Sequence, residues 1–143
     1  MSEWYCINAC KHTFCSNIVH HSSTKKHRPA TITEHAGKYA LVHASNVTHI
    51  SPFAVTQGIV AGAGAALGVG GHLVLYGPFT INGEFTTPSN QEFDLALKGR
   101  DSAWGYRDVA AVEAESLQAS LKLVQRYEMP ANNFLLHFVK QEF

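Results

Sequence analysis

Three cysteines and a histidine near the start, Cys6, Cys10, Cys15 and His20, are the residues whose types first suggest chemistry. Thiolate and imidazole are the ligands zinc prefers, so a four-ligand site is chemically reasonable. The paired C-x-x-C knuckle of zinc modules is absent, and the cysteine gaps of three and four residues do not match the C-x-x-x-C-x-x-C pattern of radical iron–sulfur enzymes. The expectation is therefore no metal, with a zinc-binding adaptor as an alternative reading. An odd number of closely spaced cysteines also argues against a disulfide framework.

A second group lies mid-chain. Asn46 and His49 follow the apolar run "YALVHAS", and Tyr76, Gly77 and Pro78 end the run "HLVLYGP". Ligands of open α/β sheets sit outside the carboxyl ends of the strands, so these two groups should meet at one rim. There His49 can serve as a general base with a pKa near neutral, with Asn46, Tyr76, Gly77 and Pro78 binding substrate. The competing reading is that Asn46 and His49 cap the next helix or satisfy loop backbone. Further along stand Asn82, Asn90, Asp94, Arg107 and Asp108, also candidates for substrate binding. Folded over the rim as a lid, they would let Arg107 hold a carboxylate or phosphate. Alternatively Arg107 and Asp94 pair and pin the loop. Trp104 and Tyr106 read as packing anchors or as an aromatic pocket wall. No Ser/His/Asp triad, phosphate loop or pair of catalytic carboxylates emerges from the spacing.

The elements that must position these residues begin near Lys38. "KYALVHASN" reads as a strand and "SPFAVTQGIVAGAGAAL" as a helix, with Ser51 at its N-cap and Pro52 at its first position. Val55, Ile59, Val60, Ala63, Ala66 and Leu67 give that helix an apolar face. Gly68 reads as its stop and Gly70-Gly71 as a turn before the strand "HLVLYGPF". The glycines thus follow a helix and precede a strand, the reverse of a cofactor-cradling loop. Gly62, Gly64 and Ala65 are better suited to letting the helix lie close to its neighbours.

Beyond a polar loop, "TINGEFTTPSN", comes a short helix candidate, "NQEFDLALKGRD", with Phe93, Leu95 and Leu97 partly buried. A second long helix is expected over "YRDVAAVEAESLQASLKL", on the strength of Val109, Val112, Leu117, Leu121 and Leu123. "KLVQRYEMP" reads as a strand or helix-to-strand transition and "NNFLLHFVKQEF" as a strand. This order implies an α/β sheet, mostly parallel with an antiparallel final strand. Residues 1–37 show no sustained period and read as a loosely ordered Cys/His-containing extension.

The chain has 143 residues, 45% of them hydrophobic, and a formal net charge of zero. Such a balance gives no reason to expect nucleic acid or an anionic membrane as partner. With no signal-peptide pattern and no long apolar span, a cytoplasmic protein is the default expectation.

The stretch from "SNVTHISPF" to "RDVAAVEA", together with "MPANNFLLHFVK", closely resembles the UPF0585/DUF938-type class I S-adenosylmethionine-dependent methyltransferase-like family, which includes methyltransferase-like protein 26. "HISP", "LYGPF", "SN..FD", "WG.RD" and "MPANN" stand in that family's order, over about the last hundred residues. The resemblance implies that residues 38–143 form the C-terminal half of a Rossmann-like methyltransferase domain. "YALVHAS" would be its fourth strand and "HLVLYGP" its fifth, with a family-specific insertion and a terminal strand pair. In such enzymes the first strand, its glycine loop and the acidic end of the second strand hold S-adenosylmethionine, and this chain shows none of them. The expectation is a truncated, substrate-side half that does not bind the cofactor alone. Its acceptor is an unknown small molecule or protein. The "YALVHAS" strand would then lie at an open edge, inviting self-association or a partner chain, which gives a non-catalytic interaction fragment as the other alternative.

Overall fold

The computed structural model describes residues 4–8, 19–20 and 36–142. In chain order the elements are β1 (Trp4–Asn8), β2 (Val19–His20), β3 (Tyr39–Ser45), α1 (Phe53–Ala66), β4 (Leu67–Gly77), β5 (Phe79–Thr80), α2 (Pro88–Arg100), β6 (Arg107–Asp108), α3 (Val109–Gln118), β7 (Leu121–Met129) and β8 (Asn133–Lys140). Six strands form one sheet in the order β2-β1-β3-β4-β8-β7, and β5 pairs with β6 in a separate two-stranded ribbon. In the large sheet β1, β3 and β4 run parallel, while β8 lies antiparallel between β4 and β7. The final strand is therefore the antiparallel one, and β7 regains the common direction. β2 adds a further antiparallel partner to β1.

Alternation along the strands decides which face is buried. Val42 and Ala44 of β3, Leu73 and Leu75 of β4, and Leu136 and Phe138 of β8 join Ile59, Val60 and Ala63 of α1 and Val109 and Val112 of α3 in one core. Their neighbours in sequence, His43, His72, Val74 and His137, point to the opposite face and keep some exposure. Burying each large side chain in that core contributes roughly 1.5–3 kcal/mol. Gly64 allows α1 to approach the end of α3: a Cβ there would lie 2.6 Å from the Ala119 carbonyl oxygen.

Several expectations need correction. Pro52 is the cap of α1 and makes no side-chain cap bond; the Ser51 hydroxyl instead donates to the Val47 carbonyl at 2.8 Å. The helix gives way to strand at Leu67, so the glycines that read as stop and turn lie within β4. Leu67 pairs with Tyr39 and His72 with Leu41, and the extra residues between them bulge outward, with Gly70 at φ +77°. α2 has 13 residues, capped by Thr87, whose hydroxyl accepts from the Asn90 amide; Leu97 is buried, whereas Phe93 and Leu95 are exposed. α3 has only 10 residues, because Ser120 turns at φ +63° and hands Leu121 and Leu123 to β7. Nor is β3 an edge strand: residues Trp4 to Asn8 pair with Leu41 to Ser45, so β1 adds a parallel strand beside it. Among the described residues no helix is long and apolar enough to cross a membrane.

Candidate functional site

The loop leaving β3 is built to be fixed. Asn46 adopts φ +55° and its N–H donates to the Tyr76 carbonyl at 2.8 Å, which joins the carboxyl ends of β3 and β4. Such a left-handed conformation suits asparagine better than most residues. Arg107 then holds the next turn from outside: its Nε donates to the Thr48 carbonyl at 3.1 Å, and its Nη2 to the Ser51 and Ala103 carbonyls at 2.5 and 2.8 Å. Its guanidinium also lies over the Phe53 ring. The alternative pairing of Arg107 with Asp94 is not seen, since Asp94 pairs with Lys98, four residues on along α2. Arg107 thus donates to three backbone carbonyls.

This scaffold encloses His49, which is 5% exposed. Its carbonyl accepts from the Gly105 amide at 3.0 Å, and its ring meets those of Phe93 and Tyr106 at centroid distances of 6.0 and 6.4 Å. Among the described residues its Nδ1 is buried without a hydrogen-bond partner, as is the Thr48 hydroxyl. A Cβ added at Gly77 would stand 3.6 Å from that Nδ1 and 3.7 Å from Asn46 Oδ1. Gly77, where the ends of the two strands meet, thus lies beside both an unsatisfied imidazole nitrogen and an amide oxygen, at a spacing that a single carbon would fill. Burial, and then the Arg107 charge, push the His49 pKa down to about 4. The near-neutral pKa expected from sequence is therefore corrected: His49 is uncharged at neutral pH, suited to hydrogen bonding rather than to storing a proton. It does not cap α1, and Asn46 does not either.

The remaining candidates separate into supports. Asp94, 2% exposed, accepts from the Tyr106 amide at 2.7 Å and from Lys98 Nζ. Burial and the Asp94 charge raise the Tyr106 phenol to about 12. Asp108 accepts from the amides of Ala110 and Gly83 and from the Thr80 hydroxyl. Burial opposes its charge, yet those three bonds outweigh it and lower its pKa. Asn82 and Gly83, both at positive φ, form the tight turn between Ile81 and Glu84. Asn90 Nδ2 donates to the Thr86 hydroxyl at 2.9 Å. The Tyr76 hydroxyl accepts from Asn133 Nδ2, and Pro78 is buried just past Gly77. Of the sequence candidates, then, Asn46, His49, Tyr76 and Gly77 converge on the rim, while Asn82, Asn90, Asp94, Arg107 and Asp108 hold surrounding backbone or neighbouring loops. Thr48 and Lys98 were not anticipated; the four-residue spacing of Asp94 and Lys98 on a helix was the available signal for the latter.

Two open hollows of about 340 and 320 Å³ lie elsewhere, one along α1 and α3 at Gln57, Gly64, Glu115 and Lys140, the other at Ile81 to Thr86. Neither is lined by a buried polar atom lacking a partner, so volume and chemistry point to different places. The rim is the better candidate because an unsatisfied buried nitrogen costs stability that a ligand can restore. No group of three or more His, Cys, Asp or Glu side chains able to hold a metal occurs among the described residues. Cys10 and Cys15 of the zinc reading lie outside them.

The strand order β3-β4-β8-β7, mostly parallel with the antiparallel β8 between β4 and β7, is that of a partial class I methyltransferase fold. Solved structures agree in fold: a putative O-methyltransferase from Nostoc punctiforme PCC 73102 is 21% identical with a TM-score of 0.61, over 71% of this chain and 32% of that one. Human N-acetylserotonin methyltransferase in complex with SAM is 12% identical with a TM-score of 0.61, over 72% and 30%. PigF with SAH is 11% identical with a TM-score of 0.62, over 78% and 38%. The chain spans about a third of the length of these structures. The family model described as "Protein of unknown function (DUF938)" matches residues 7–140, and the chain belongs to that family. The match takes in most of the Cys/His segment, which the sequence resemblance had left outside.

Proposed function

We propose that this chain carries the acceptor side of an S-adenosylmethionine-dependent methyltransferase, receiving a small hydroxyl- or amine-bearing molecule at the His49–Gly77 rim. The observation that carries this reading is the buried, partnerless His49 Nδ1 beside Gly77. A neutral imidazole there accepts a hydrogen bond from an acceptor O–H or N–H and so fixes the direction of its lone pair. Asn46 Oδ1, also next to Gly77, offers a second acceptor, and the Phe93 and Tyr106 rings that meet His49 supply aromatic surface. Arg107 and Asp94 position the loops that carry these groups.

The residues do not fit the methyl donor itself. A donor site of this fold needs a strand, a glycine turn and a helix in that order. Here Gly58, Gly62 and Gly64 lie inside α1 and Gly68, Gly70 and Gly71 within β4, and residues 9–18, which follow β1, include no glycine. No chemical step is therefore assigned to the donor. Isothermal titration of the folded chain with S-adenosylmethionine and S-adenosylhomocysteine should give no binding heat. Micromolar binding of either would overturn the division into acceptor and donor sides.

A further inference from the structure

The six-stranded sheet ends in two unlike edges. At one lies β2 with two residues; at the other lies β7 with nine, and among the described residues no strand pairs with its far side. A long edge strand presents a row of unpaired N–H and C=O groups, a template for a further strand. Residues 124–128 are all exposed, Val124 and Tyr127 by 46% and 48%. The register with β8 shifts between Leu123 and Gln125, which interrupts one end of the strand, and Pro130, with no N–H to donate, closes the other. Gln125 to Met129 is left as the regular segment. Within it Arg126 and Glu128 pair with Leu136 and Phe134 and share their core side. Gln125, Tyr127 and Met129 pair with His137, Leu135 and Asn133 on the outer side.

We propose that β7 pairs antiparallel with β7 of a second copy about a two-fold axis at Tyr127, so that one sheet runs through a dimer. A two-fold axis perpendicular to the sheet sets one residue opposite itself, and the choice of that residue fixes the register. Centred on Gln125 the pairing runs into the bulge, and centred on Met129 it runs into Pro130. Centred on Arg126 or Glu128 it places like charges directly opposite, which is destabilising. Centred on Tyr127 it places Arg126 of each copy opposite Glu128 of the other, and brings the two Tyr127 rings together on the outer side. Opposite charges and aromatic pairs facing across an antiparallel ladder are both favourable. The segment is therefore complementary to itself in one register, as an isologous interface requires.

Sedimentation velocity of the full chain over a concentration series tests the interface. The chain should sediment as a dimer at the upper concentrations. Arg126→Glu and Glu128→Arg each set like charges opposite one another and should shift it to monomer. Carrying both substitutions restores opposite charges in the same register and should recover the dimer. Circular dichroism should be the same in all four proteins, because both side chains are exposed. Independently, mild oxidation of Tyr127→Cys should link two copies through residue 127, as read by peptide mass. A chain that stays monomeric throughout the series would overturn the proposal. So would a dimer that survives either single reversal, a folded double variant that remains monomeric, or a Tyr127→Cys dimer without the 127–127 link.

Discussion

The glycine-rich stretch from Gly58 to Gly71 and the rim made by residues 46–49, 77 and 105–107 differ in what they advertise and what they do. The glycine stretch has the composition of a ligand loop but serves packing: Gly64 admits the end of α3, and Gly70 turns a bulge in β4. The rim has the composition of an ordinary loop but holds a buried imidazole nitrogen and a buried hydroxyl without partners. Composition marks where backbone comes close. Unsatisfied buried polarity marks where something else can bind.

The comparison can be broken experimentally, beginning with acid. His49 is held near pKa 4 in the fold against an ordinary 6.5, so unfolding takes up a proton between those values. Stability should be level above about pH 6.5 and fall as the pH drops toward 4, by about 3 kcal/mol when complete. His43 and His137, also lowered chiefly by burial, act in the same direction. Denaturant titrations at a series of pH values should show this loss, and His49→Phe should remove most of it. Next in size is Gly64→Ala, whose Cβ would meet the Ala119 oxygen at 2.6 Å and Ala119 Cβ at 2.7 Å. Overpacking of this kind should cost about 2–3 kcal/mol in the same assay.

Asp108→Ala removes the cap of α3 together with the acceptor for Gly83 and Thr80, and should cost about 1–2 kcal/mol. Its thermal shift should leave the rim resonances unmoved. The smallest effect has the opposite sign. Gly58 sits in α1 with nothing within 4 Å of an added Cβ, so Gly58→Ala should stabilise by about 0.5–1 kcal/mol. Gly64 and Gly58 lie in one helix and one glycine-rich stretch, and only their surroundings separate the two outcomes.

How much was legible follows the range of the forces involved. The strand from Tyr39, the helix from Phe53 and the strand ending at Gly77 were readable because alternation and helical periodicity are local signals. The convergence of Asn46, His49 and Gly77 was readable because ligands collect at the carboxyl ends of parallel strands. The depressed His49 pKa was not, since it depends on burial by Phe93 and Tyr106 and on a guanidinium 58 positions away in sequence. Nor was the commitment of Arg107 to three carbonyls, or the pairing of the first strand with β3, both of which are set by long-range contacts. The boundary between α3 and β7 was missed because Leu121 and Leu123 suit the period of either element.

The most direct measurement is chemical-shift mapping of the full chain with a panel of small alcohols, phenols and amines. The account predicts that the first resonances to move belong to Asn46, His49, Gly77 and Tyr106, and that His49→Phe abolishes the response. Shifts centred instead on Gln57, Gly64, Glu115 and Lys140, with the rim unchanged, would contradict it and transfer the acceptor site to the hollow along α1 and α3.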